Sequence, residues 1–213
     1  MDADWIDISR PIHVGTPVWP GDCAVGIEQC DDDGVLVSAL TATCHLGAHL
    51  DAPLHVDRKG AAVDEIPLGR LIGPAEIVRL TEAAGAASVT HLPSGWTPNV
   101  PRVLLRTDSH PVDAAIGEGF VSLAVDLVYW LADRGVEMVG IDTPSVDPFS
   151  SVELTAHRAL SDRGMTWIEG LDLSRAAPGR YLLIALPVAL VGVEAAPVRA
   201  VVRSLPVGKP FVR

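Results

Sequence analysis

The chain predicts an α/β (α+β) fold, a single domain over residues 1–213 with a mainly β core and a few helices. Three observations predict it. The length suits one substantial domain, and 48% hydrophobic residues give that domain a core. Nineteen glycines and 17 prolines are spread along the whole chain, as expected of many short elements joined by tight turns. The hydrophobic periodicity supplies roughly eight strands against two or three helices.

The elements follow in order. Trp5 to Ser9 reads as a short strand, and Thr16-Pro-Val-Trp-Pro-Gly-Asp22 as a loop stiffened by two prolines. Val35 to Thr43 alternates and is rich in β-branched residues, so it is a strand that delivers the next segment. Ala75 to Leu80 and Arg102 to Arg106 are further strands. Ser122 to Arg134 reads as a helix: Ser122 can cap it, Val125, Val128, Leu131 and Ala132 form an apolar stripe, and Gly135 ends it. Val136 to Ile141 returns as a buried strand. Ser151 to Arg163 is a second helix, stopped by Gly164 and carrying His157. Trp167 to Leu173, Tyr181 to Leu186 and Val198 to Arg203 complete the strands.

A formal charge of −11 opposes phosphate backbones, and no strongly basic patch offsets it, so nucleic acid is excluded as a partner. No apolar run approaches the roughly 18 residues that span a bilayer, which excludes a membrane protein of the helical kind. The start, Met-Asp-Ala-Asp-Trp, is acidic where a secretory signal is basic, and a cytoplasmic location is expected. Three cysteines, Cys23, Cys30 and Cys44, without a CxxC spacing fit reduced thiols better than a disulfide framework.

The chemistry concentrates in one run. His45, His49, Asp51 and His55 fall within eleven residues and include three of the seven histidines. From His49 the spacing is two, so in an extended segment His49, Asp51 and His55 share a face; Gly47 and Pro53 argue against a helix. A lone histidine is most often structural. Four such groups in an apolar frame of Leu46, Leu50, Leu54 and Val56 are expensive to bury unless something binds them. Imidazoles and a carboxylate form a ligand set for zinc or manganese, and a carboxylate can bridge two ions. Cys44 could be a soft ligand, but neighbouring strand residues point to opposite faces, which favours a small core role.

Remote candidates are His157 and Glu169. His157 sits on a polar face of the second helix, and Glu169 lies among apolar residues on a buried strand, where a carboxylate needs a partner or a metal. Spacing alone favours an exposed helix histidine and a salt-bridged glutamate. Asp142, Ser145 and Asp147, after a buried strand, could orient ligands or simply make a turn. Trp19, on its stiff loop, could stack on an aromatic substrate or cover the core.

The run His45-x-Gly47-x-His49-x-Asp51-x-Pro53-x-His55 resembles the signature of the metal-dependent cyclase-like hydrolases. Matching blocks extend over nearly the whole chain: Ile8-Ser-Arg-Pro, residues 16–22, residues 140–148, Glu169-Gly-Leu, Ile184-Ala-Leu-Pro187 and Pro197-Val-Arg-Ala200. Ala48, where many relatives have threonine, and the forms around Cys44 and Ser151-Val-Glu153 depart from the pattern.

The resemblance implies a compact α/β domain with a barrel-like β core, assembled as a homodimer. It implies that His45, His49 and Asp51 hold one zinc, that Asp51 bridges to a second, and that His157 and Glu169 are the remote ligands, with manganese as the other candidate metal. It implies that His55 is the general acid/base and that Trp19 contacts the substrate. Within the family the chain is most similar to members that hydrolyse a small molecule, N-formyl-L-kynurenine, to L-kynurenine and formate in tryptophan breakdown. Hydrolysis of a cyclic amide such as isatin and metal or ligand binding without catalysis are the alternatives.

Overall fold

Residues 5–205 are described by a computed structural model. The strands are β1 (Trp5–Asp7), β2 (Gly26–Asp32), β3 (Val35–Thr41), β4 (His49–Asp51), β5 (Ile72–Arg79), β6 (Ala86–Ala87), β7 (Arg102–Arg106), β8 (Ser122–Leu123), β9 (Met138–Ile141), β10 (Thr166–Glu169), β11 (Gly179–Pro187) and β12 (Ala195–Ser204). The helices are α1 (Leu68–Leu71), α2 (Val125–Ala132) and α3 (Thr155–Asp162). Seven strands in the order β12-β11-β5-β7-β9-β10-β4 close into a barrel where β4 pairs back onto β12, and β1 adds to the same edge of β12. β5, β7, β9 and β10 run parallel; the remaining barrel pairings are antiparallel.

The parallel strands are apolar without alternation because both their faces are buried. Leu104, Met138 and Ile168 point into the barrel with Leu50, Ile77, Leu183 and Val202. Their neighbours Val103, Leu105, Val139 and Trp167 point outward, under Leu127, Leu131, Ala156 and Leu160 of α2 and α3. Each of these strands therefore serves two cores, and the two helices cover one side of the barrel.

Several expected elements change. Val35–Thr41 is a strand, but all of it is exposed, and it pairs with β2 in a hairpin outside the barrel. It does not run into the histidine segment: irregular chain intervenes, and β4 belongs to another sheet. Ser122 caps no helix. It is drawn into the parallel pair β6–β8, and α2 begins at Val125. The second helix begins at Thr155, after Leu154 in a left-handed conformation. β10 stops at Glu169 because Gly170 turns with φ +67°. The extended face through His49, Asp51 and His55 ends at Asp51, and Pro53–His55 is a 3-10 turn.

Candidate metal centre

β4 sets the site. It lies between β10 and β12, with Asp51 opposite Trp167 and His49 opposite Glu169 across the β10 pairing. The period of two sends Leu50 into the barrel core and turns His49 and Asp51 outward, toward α3. Cross-strand partners share a face, so Glu169 stands beside His49 at 3.4 Å. The Trp167 indole N–H donates to Asp51 Oδ2 at 3.1 Å.

α3 supplies His157, which is 2% exposed, so the expected polar face is in fact the face that packs on β10. Its Nε2 lies 3.1 Å from Glu169 Oε1 and 3.5 Å from Asp51 Oδ2. Asp147 holds the ring from behind: its carboxylate accepts from His157 Nδ1 at 2.7 Å and from the backbone N–H groups of Ala156 and His157 at 3.0 Å each. One side chain thus caps the start of α3 and orients the histidine. Ser145 Oγ in turn accepts from the Asp147 N–H. Asp142 goes elsewhere, accepting from Thr107 and Asp108 to fix the chain after β7.

His45 comes from the irregular chain before β4 and places Nδ1 3.1 Å from Asp51 Oδ1. His55, raised on its 3-10 turn, packs its ring 4.6 Å from that of His45 and 5.2 Å from that of His157. All six histidine and acidic residues expected at the site are therefore brought together. Cys44 is half-buried, and burial and then the charge of Glu194 hold its thiol above the usual value. It joins no ligand group among the described residues.

The electrostatics fit a cation site. Burial opposes charge on His49, yet Asp51 and Glu169 push its pKa to about 9. Burial likewise opposes charge on His157, and Glu169 and Asp147 overcome it. Asp51 is held well below the carboxylate range against its burial, by His49 and His157. Burial lowers His55, with Asp51 partly offsetting. His49 Nε2 and Asp51 Oδ1 are buried with no hydrogen-bond partner. Such orphaned atoms are rare and point to an absent ligand. Two groups, His45–Asp51–His55 and His49–Asp51–Glu169, each offer ligand atoms within 4.8 Å of one another, and Asp51 belongs to both. This donor set of imidazole and carboxylate suits zinc or manganese.

The cluster opens on a cavity of about 430 Å³ lined by Trp19, Arg10, His110, Asp113 and Glu194 among others. That size suits a small aromatic molecule. Trp19 stands at its wall with Phe149 packed 5.2 Å behind it. Phe149 and Glu194 escaped the sequence reading; both lie in turns and carry no periodic signal.

A cyclase family model matches residues 6–148. The chain is 43% identical over 207 residues to a kynurenine formamidase of Salinibacter ruber, an alignment covering 94% of this chain and 98% of that one. It is 31% identical to a solved structure described as a predicted metal-dependent hydrolase from Bacillus stearothermophilus, covering 93% and 97% of the two chains with a TM-score of 0.77. Isatin hydrolase A from Labrenzia aggregata shares the fold at a TM-score of 0.79 and 20% identity, covering 93% of this chain and 92% of that one.

Proposed function

Because the chain belongs to the cyclase family, we propose that it hydrolyses N-formyl-L-kynurenine to L-kynurenine and formate, with metal held by His45, His49, Asp51, His157 and Glu169. The observation that carries the reading is buried Asp51, which shares one ligand group with His49 and Glu169 and lies within 3.5 Å of His45 and His157 ring nitrogens, beneath an aromatic-walled cavity. The place of Asp51 in both ligand groups favours two ions per subunit, and zinc is the metal proposed. A cytoplasmic homodimer is the proposed setting; no helix among the described residues is long and apolar enough to cross a membrane.

A divalent ion held by these residues would supply Lewis acidity, lowering the pKa of bound water and drawing charge from a carbonyl oxygen. The chain's own residues do the rest. Trp19, backed by Phe149, stacks on the aryl ring and presents the formamide to the cluster. His55 is neutral at neutral pH, lines the cavity, and its ring has no hydrogen-bond partner among the described residues. It takes the proton of the attacking water and returns it to the aryl nitrogen as the C–N bond breaks. Asp147 and Trp167 keep His157 and Asp51 from turning away.

The test is turnover of N-formylkynurenine, with isatin and other cyclic amides beside it, for protein treated with chelator and for Asp51→Ala. Both treatments are expected to abolish activity, and Asp51→Ala to bind neither ion. Full turnover by metal-free protein overturns the reading; turnover of isatin alone moves the substrate to the cyclic amides.

A further inference from the structure

We propose that Glu194 is the positioning residue for His45. Its carboxylate takes the N–H at Nε2 and so leaves Nδ1 bare for the metal centre. The proposal rests on the reading of His45 as a ligand.

A neutral imidazole carries one N–H, and a metal needs the other nitrogen, so each liganding ring needs an acceptor on its far side. His49 turns Nε2 inward and gives Nδ1–H to the Gly47 carbonyl at 3.1 Å. His157 turns Nε2 inward and gives Nδ1–H to Asp147. His45 is reversed: Nδ1 faces Asp51, and Nε2 faces Glu194 Oε1 at 3.4 Å. His49 and His157 thus each have a hydrogen-bonded outer acceptor, and Glu194 is the carboxylate that stands within reach on the outer side of His45.

His45 is the ring that needs one most. It stands on irregular chain before β4, and its side chain is 24% exposed, whereas His49 is held in a strand and His157 in a helix. Glu194 is well placed to fix it. Its carbonyl accepts from the Ala52 N–H at 2.9 Å, Val193 O accepts from the Val63 N–H at 3.0 Å, and the Gly192 N–H donates to Asp64 at 2.9 Å. The next residue, Ala195, pairs with Asp51. The backbone under Glu194 is therefore tied to the strand that carries the shared aspartate. Its side chain, 40% exposed, stands at the cavity wall, where removing it leaves the core untouched.

The experiment uses the full chain loaded with zinc, as wild type, Glu194→Ala, Glu194→Gln and His45→Ala. Zinc affinity is read by competition with a chromophoric chelator, and the His45 tautomer by ¹H–¹⁵N NMR of the ring. Glu194→Ala should weaken zinc binding roughly 10- to 100-fold, the usual cost of losing an outer-sphere partner. It should also broaden or lose the His45 Nε2–H signal. Glu194→Gln keeps an acceptor oxygen and should restore most of the affinity and the signal. Wild-type affinity and an unchanged Nε2–H signal in Glu194→Ala overturn the proposal. If His45→Ala itself binds zinc normally, the ligand assignment falls with it; if only His45→Ala loses zinc, the Glu194 role alone is wrong.

Discussion

Loading zinc into metal-free protein should expel protons, and the structure says from which groups. Asp51 is held well below its usual carboxylate value and Glu169 is lowered from its own, and burial lowers His55, so these three have no proton to give near neutrality. His49, with a pKa of about 9, is protonated by roughly 30 to 1 at about pH 7.5. Glu169 and Asp147 raise His157 well above its usual value against its burial, so it is the second source. A metal can occupy the cluster only when both rings are bare. Between one and two protons should therefore leave per chain, measured by titration calorimetry in two buffers of different ionisation enthalpy. Apparent affinity should fall about tenfold per pH unit for each proton, or roughly 10²- to 10⁴-fold from about pH 8.5 to about pH 6.5. The same shift sets stability without metal. The folded His49 pKa lies above its unfolded value of 6.5, so its contribution is whole below that value and is lost as pH rises through about 9. Asp51 and Glu169 act in the opposite sense, their contribution disappearing as pH falls below the usual carboxylate range. Zinc uptake without proton release, or an affinity flat in pH, would refute the reasoning.

Three further outcomes are expected. His55→Ala should keep its metal and bind substrate but lose turnover by roughly 10²- to 10⁴-fold, less for formanilides with electron-poor rings; metal loss in that variant would make His55 a ligand. Trp19→Ala removes an aromatic wall and no reacting group, so KM should rise with kcat little changed, and a large fall in kcat alone contradicts this. Gly170→Ala places a Cβ against the Gly47 carbonyl and forces an alanine to φ +67°. It should cost about 1–3 kcal/mol in thermal denaturation of the chelated protein and also weaken metal binding, since Gly47 holds His49; an unchanged Tm sinks the packing argument.

The clustering of His45, His49 and Asp51 was legible because it is local: seven residues of chain bring all three together. Glu169 was legible as a carboxylate stranded among apolar neighbours. Its pairing opposite His49 was not, because register between β4 and β10 is a tertiary property. His157 reads as a polar-face residue because helical periodicity counts apolar residues, whereas here the buried face of α3 includes the histidine itself. The barrel's closure left no mark on any one strand, but the two-sided burial of β7, β9 and β10 did, as unbroken apolar runs. β2 was missed because Glu28-Gln-Cys-Asp-Asp32 has no apolar alternation. The signal that could have found it is Asp33-Gly34, both at positive φ, a favoured two-residue hairpin turn.

β4 is three residues long, yet it is the joint through which the barrel closes, and two of its residues are ionisable side chains clustered with Glu169 and His157. Opening that joint scatters the cluster, and filling the cluster locks the joint. By mass action, free metal at about a hundred times its Kd adds about 2.7 kcal/mol to the folded state. Metal scarcity would then act on how long the chain survives proteolysis as well as on how fast it turns over substrate. With the proposed ion in place, its supply would bear on how much folded chain persists, through the shortest strand of the barrel.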